Sequence, residues 1–141
     1  MLHYRKTKHK YNNHRKKDAI KPQCPFCSIS SREKVLAEND TMFVVPNRVS
    51  YDMFEGRRVT DHVMVIPKKH RRGFGDFTPE ERNDAMLLIG QYETMGYNVY
   101  ARGVDSPSRS VEHQHTHLIK LYDKPSKLVI YSEKPYVLID F

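Results

Sequence analysis

Residues 113 to 117 read His-Gln-His-Thr-His, an alternation that constrains the fold more than any other stretch of the chain. In an extended strand, side chains two apart point the same way at about 6.6 Å spacing. His113, His115 and His117 are therefore expected to share one face of a strand, with Gln114 and Thr116 on the other. One solvated histidine is ordinary, whereas three in register ask for a site. The residues leave two chemistries open: the stripe binds a metal, or one imidazole acts as nucleophile or acid/base while its neighbours orient it and hold an anion.

A strand needs partners, and the surrounding pattern supplies them. His62-Val63-Met64-Val65-Ile66-Pro67 is almost wholly apolar, as a strand central in a sheet would be. Val35 to Asp40 and Thr41 to Asn47 read as two strands around an Asn-Asp turn, because β-branched and aromatic residues flank the turn pair. Thr78-Pro79-Glu80-Glu81 marks a helix start, with Thr78 as N-cap, Pro79 at the first helical position and Glu81 closing a capping box. Met86, Ile89, Tyr92 and Met95 recur at helical spacing as the expected buried stripe, and Gly96 is the expected stop. Residues 97–100 then read as a strand, 101–109 as a loop and 113–121 as the histidine strand, with 128–132 and 136–139 as a terminal hairpin. Hairpin-connected strands with a helix to one side predict an α+β fold on an antiparallel sheet.

The chain has 141 residues and a net charge of +7, and that charge is not spread evenly. Residues 1–21 hold eight Lys or Arg against Asp18 alone, which is +7; residues 22–141 hold sixteen of each sign, which is zero. We read 1–21 as a basic arm with too few apolar residues to order itself, its histidines solvated, and as a candidate contact for nucleic acid through counterion release. Residues 22–141 form one domain, with a motif-bearing core at 22–121 and an extension at 122–141. No apolar run approaches the roughly 18 residues of a membrane span, and no apolar segment follows the basic N-terminus, so the expected location is the cytoplasm. In a reducing compartment the pair Cys24-Pro25-Phe26-Cys27 points to metal or redox chemistry. As two soft ligands it needs two more for a closed tetrahedral site; His70 and one member of the stripe are the candidates.

The C-x-F-C opening, the stretch Asp61 to His70 (DHVMVIPKKH) and the stretch Ser110 to Ile119 (SVEHQHTHLI) together resemble the histidine-triad (HIT) superfamily of nucleotide hydrolases and transferases, over about residues 22–121. The resemblance implies a five-stranded antiparallel sheet with one main helix, commonly in a homodimer, and cleavage at the α-phosphate of a nucleotide substrate. It makes His115 the nucleophile and His117 a phosphate ligand, with His62 and Ser110 completing the catalytic set. Asn47 matches the position that holds ribose, and Asn98 the strand-end asparagine. Cys24, Cys27, His70 and His113 match the ligands of a structural zinc. This chain departs from the pattern within the triad, where Gln114 and Thr116 stand at usually apolar positions and imply a less buried outer face, and before it, where Ser108-Arg109-Ser110 replaces Gly-Gln-Ser and Ala101-Arg102-Gly103-Val104 an asparagine- and glycine-rich segment. Arg102 and Arg109 are either bidentate donors to an additional phosphate or a nucleic-acid end, or surface charges.

Overall fold

The computed structural model describes residues 24–31, 33–126, 128–130 and 137–139, so the arm at 1–21 lies outside the described residues. Strand β4 (Arg57–Pro67) organises the rest, and its burial explains its length: residues 57–61 are exposed or half-buried, whereas His62 to Pro67 are all buried. Only the second half carries the apolar signal, and the strand extends five residues upstream of it. Around it lie β1 (Ala37–Glu38), β2 (Met42–Pro46), β3 (Met53–Phe54), β5 (Tyr97–Ala101) and β6 (Thr116–Pro125). The sheet is antiparallel in the order β1-β2-β4-β6-β5, with the short β3 pairing β4 as a sixth strand. The β3–β4 hairpin turns through Glu55 and Gly56, both at positive φ (49° and 68°). Such a turn favours Asn or Asp before Gly, which is why Glu55 hid it in the sequence. Beyond the sheet, β7 (Leu128–Ile130) and β8 (Val137–Ile139) pair antiparallel.

The helix α1 (Pro79–Thr94) begins as its sequence dictates. Thr78 accepts from the Glu81 N–H at 3.2 Å, and the Glu81 carboxylate accepts from the Thr78 N–H at 2.8 Å. Its buried face is Glu81, Ala85, Leu88 and Ile89, with Tyr92 packed beside it, so Ile89 and Tyr92 of the expected stripe face the core and Met86 and Met95 do not. Met86 and Met95 are 64% and 50% exposed. The phase was hidden because a charged residue occupies one of the core positions. Gly96, at φ +85°, ends the helix in the left-handed conformation that favours glycine.

Alternation divides the core between the two sides of the sheet. Val63 and Val65 of β4, Met42 and Val44 of β2 and Leu118 of β6 pack with Phe77, Ala85, Leu88 and Ile89 under the helix. On the opposite face Val45, Met64 and Ile66 meet Ile29, with Phe26 and Val35 of the N-terminal segment packed against them. Register puts Met64 opposite His117 and His62 opposite Ile119, so these two histidines stand on the face away from the helix.

Candidate functional site

Strand β6 starts at Thr116, so His113 and His115 precede it and the three histidines do not form one regular stripe. The cause lies in the hydrogen bonds of the approach. Gln114 N–H donates to the Arg71 carbonyl at 2.6 Å, and the Arg109 guanidinium takes the carbonyls of Val111, Glu112 and Arg72 at 3.1, 2.6 and 2.5 Å. Backbone groups committed to these partners are not available to a sheet ladder. Gln114 and Thr116 are not on an exposed face either, being 2% and 3% exposed. Thr116 pairs with Val65 and so points to the helix side, while the Gln114 amide oxygen accepts from Arg109 at 3.0 Å. Polarity misled here because the loop arginine supplies a buried partner for the glutamine.

A chain of hydrogen bonds fixes the proton positions of His62 and His117. The Tyr51 backbone N–H, which can only donate, lies 3.2 Å from His62 Nδ1. The neutral ring therefore carries its proton on Nε2, which lies 2.9 Å from His117 Nδ1 and donates to it. His117 in turn carries its proton on Nε2, where the Tyr51 hydroxyl stands 3.3 Å away. Asn47 stands beside this group: its Oδ1 accepts from the Val49 N–H at 3.2 Å, so its amide nitrogen is a donor, 3.4 Å from the unprotonated His62 Nδ1.

His115 is oriented the other way round. Its Nδ1 lies 2.9 Å from the His113 carbonyl, an acceptor only, so the proton sits on Nδ1 and the Nε2 lone pair is bare. Burial pushes His115 down to about 4, against the pull of that hydrogen bond, with Arg109 and Arg102 adding to the effect. Burial also holds His117 far below the ordinary histidine range, helped by His115, His62 and Arg102. Both rings are thus neutral near pH 7, their centroids 5.0 Å apart. A neutral imidazole with an uncommitted Nε2 is a nucleophile that needs no base.

His113 faces elsewhere. Its Nε2 donates to the Pro67 carbonyl at 2.9 Å, which leaves Nδ1 bare at 3.5 Å from Cys24 Sγ and 3.6 Å from Cys27 Sγ. His70 Nδ1 lies 3.4 Å from Cys27 Sγ, and the four ligand atoms all lie within 4.8 Å of one another. Ligands at ordinary Zn–S and Zn–N distances around a tetrahedral ion leave S···N edges of about 3.6 Å. The donor set and its spacing therefore fit a tetrahedral N/S metal site. Burial and the neighbouring Cys24 raise the Cys27 thiol above its ordinary value, a preference that a bound cation would reverse. Among the described residues this is the one such group of ligands, and of the three stripe histidines it takes only His113.

The remaining sequence candidates fall around this centre. Asn98, on β5, donates to the Ile119 carbonyl at 3.3 Å. Ser110 is exposed and lines a surface pocket with Arg72, Val104, Asp105, Ser106, Arg109 and Glu112, a lining that includes no histidine. Arg109 is spent on bracing the loop, and Gln114 Nε2 is buried without a hydrogen-bond partner.

No family model and no curated protein sequence matches the chain. Solved structures do match it. A HIT family hydrolase from Clostridium thermocellum superposes with a TM-score of 0.56 at 18% identity, over 77% of this chain and 98% of that one. The chain has the histidine-triad fold. A HIT family protein from Bacillus anthracis matches with a TM-score of 0.58 at 21% identity, over 80% of this chain and 84% of that one. A histidine triad nucleotide-binding protein from Candida albicans matches with a TM-score of 0.57 at 19% identity, over 79% and 85%. On this histidine-triad scaffold the sequence reading missed two contributors. Tyr51, 5% exposed, touches both His62 and His117 from a position more than 60 residues before the triad. The pair Arg71–Glu81, with Nε–Oε contacts of 3.0 Å, ties α1 to the segment that receives Gln114. The tyrosine carries no local signal; the buried glutamate could have been found as the capping-box residue one turn before Ala85.

Proposed function

We propose that the chain is a nucleotide hydrolase or nucleotidyl transferase that works through a covalent nucleotidyl-histidine on His115. The observation that carries this reading is the pinned His115 ring: the Nδ1 proton is held by the His113 carbonyl while Nε2 stays bare and neutral beside the His62–His117 pair. In the first displacement, the Nε2 lone pair forms a bond to the α-phosphorus, the bond to the leaving group breaks, and its electron pair departs with that group. In the second, water or another hydroxyl acceptor forms a bond to the same phosphorus and gives up its proton to solvent, while the N–P bond breaks and its pair returns to Nε2. Charge developing on the phosphate oxygens needs fixed donors, and His117 Nε2–H supplies one. His62 acts through His117 by setting its tautomer. Asn47, against His62, is assigned to the ribose, Asn98 to a wall of the substrate site and Ser110 to the catalytic set, while Arg109 shapes that site by bracing the approach to His113.

Zinc is the metal we assign to Cys24, Cys27, His70 and His113, in a structural role. When bound it links the N-terminal segment, the end of β4 and the start of the triad, and its binding energy adds to folding energy. The reading includes a homodimer. The sheet edge at β5 and the outer face of α1 expose Val99, Met86 and Leu87 at 47%, 64% and 56%, which suits a protein interface. We place the protein in the cytoplasm and assign residues 1–21 to contact with nucleic acid; the +7 charge of that segment is what supports the latter.

The test is a turnover screen of dinucleoside polyphosphates, a nucleoside phosphoramidate and adenylated nucleic-acid ends on wild type and His115→Asn. The variant is expected to lose turnover while keeping its fold and its metal content. Full activity in the variant would sink the reading.

A further inference from the structure

Arg102 follows the last residue of β5 and lies on the same face as Tyr100 and His117, which are register partners. It is half-buried, with its guanidinium carbon 5.5 Å from the Tyr100 ring centre and 5.9 Å from that of Tyr51. Its Nη2 donates to the Tyr51 hydroxyl at 2.9 Å, and its Nη1 lies 3.4 Å from His117 Nε2. His117 Nε2 carries a proton, as the backbone N–H of Tyr51 requires through His62. Nη1 and Nε2 are therefore both donors, and they cannot be bonded to each other. The guanidinium and the ring N–H instead flank one oxygen, the Tyr51 hydroxyl, which takes Arg102 Nη2 at 2.9 Å and His117 Nε2 at 3.3 Å. A permanently charged fork and an imidazole N–H converging on one acceptor position form a recognition element for a phosphate oxygen, with the tyrosine oxygen holding that place.

We propose that Arg102 is a specificity-determining residue that makes this site favour substrates whose leaving group is itself a phosphate, such as dinucleoside polyphosphates, over those whose leaving group is an amine. The inference rests on the nucleotidyl-histidine reading above and names its substrate class. When His115 Nε2 forms its bond to the α-phosphorus of an anhydride, the P–O bond to the bridging oxygen breaks and the electron pair leaves on that oxygen as added negative charge. A guanidinium beside His117 stabilises that charge without moving a proton. An amine leaving group needs the opposite service: its nitrogen must receive a proton, and a guanidinium does not act as a proton donor of that kind. Arg102 therefore helps the first class and contributes little to the second.

The test uses the full-length protein with two probes, diadenosine tetraphosphate and adenosine 5′-phosphoramidate, on wild type, Arg102→Gln, Arg102→Lys and His115→Asn. In Arg102→Gln the ratio of kcat/KM for the tetraphosphate to that for the phosphoramidate is expected to fall by about tenfold or more, the scale of one charge-assisted hydrogen bond. Arg102→Lys should restore part of the ratio, since it returns the charge without the fork. A ratio that falls by less than this in Arg102→Gln, with both probes slowed together, overturns the proposal and leaves Arg102 a structural residue. Thermal melting of each variant separates misfolding from selectivity, since a loosened site lowers both rates and not their ratio. If wild type turns over neither probe, or His115→Asn keeps its activity, the underlying reading of the site fails instead.

Discussion

Replacing Glu81 by Gln should destabilise the protein by about 3 kcal/mol through the loss of one buried ion pair. Glu81 is 3% exposed and receives Arg71 Nε on both carboxylate oxygens at 3.0 Å and Arg71 Nη2 at 2.9 Å, besides the Thr78 N–H. Breaking a buried pair costs about 3–5 kcal/mol, and the lower end applies because the Arg71 side chain keeps 26% of its surface in water. Gln retains an acceptor for Thr78 but turns an NH₂ toward the guanidinium. For a chain of 141 residues this corresponds to a melting temperature lower by about 10 °C. Arg71→Met should cost a similar amount, since it strands the carboxylate. The double variant should cost about 2 kcal/mol less than the sum, because neither charge is then left alone. The pH dependence has a definite sign. Burial raises the Glu81 carboxyl, but the Arg71 and Thr78 hydrogen bonds and the Arg71 charge outweigh it, so the folded value is lowered. The stabilisation is therefore complete above the unfolded carboxylate value, about 4.3, and fades as pH falls through the lower folded value. The gap between wild type and Glu81→Gln in thermal or urea melts should narrow in that acid window. A cost below about 1 kcal/mol, or an additive double variant, would refute the argument that this pair ties α1 to the triad approach.

Cys27→Ser or His113→Ala should remove about one bound zinc per chain and lower the melting temperature, whereas His117→Asn should leave metal content intact; elemental analysis checks both. Leu88→Ala should cost about 3 kcal/mol while Met86→Ala costs under about 0.5 kcal/mol in urea melts, because Leu88 is 4% and Met86 64% exposed. Gly96→Ala should cost about 1 kcal/mol through backbone strain alone, since φ is +85° and an added Cβ would meet nothing within 4 Å. Gly75→Ala, with open space and no such φ, is the control and should be near neutral.

The elements legible in the sequence are those set by local physics. The capping box Thr78–Glu81 fixed the helix start, and the apolar run from Val63 to Ile66 announced the central strand. The buried face of α1 was legible in Ile89 and Tyr92 but not in its first turn, because Glu81 reads as a surface residue until Arg71 is brought to it. The division of the histidines was only half legible. Period two predicted one common face, but the bonds from Gln114 to Arg71 and from His113 to Pro67 are long-range and turn His113 toward the cysteines. Tyr51 and Arg102 reach His117 from 66 and 15 residues away, contacts that no local pattern encodes. The same holds for Gln114, whose burial depends on Arg109 across the loop.

The central claim is that the bare Nε2 of His115 becomes covalently nucleotidylated. Rapid acid-free quenching during turnover of a nucleotide labelled at the α-phosphate, followed by peptide mapping, tests it directly. One acid-labile nucleotidyl adduct is expected, on His115, attached through Nε2 and absent from His115→Asn. Turnover without such an adduct, or an adduct on another residue, would contradict it.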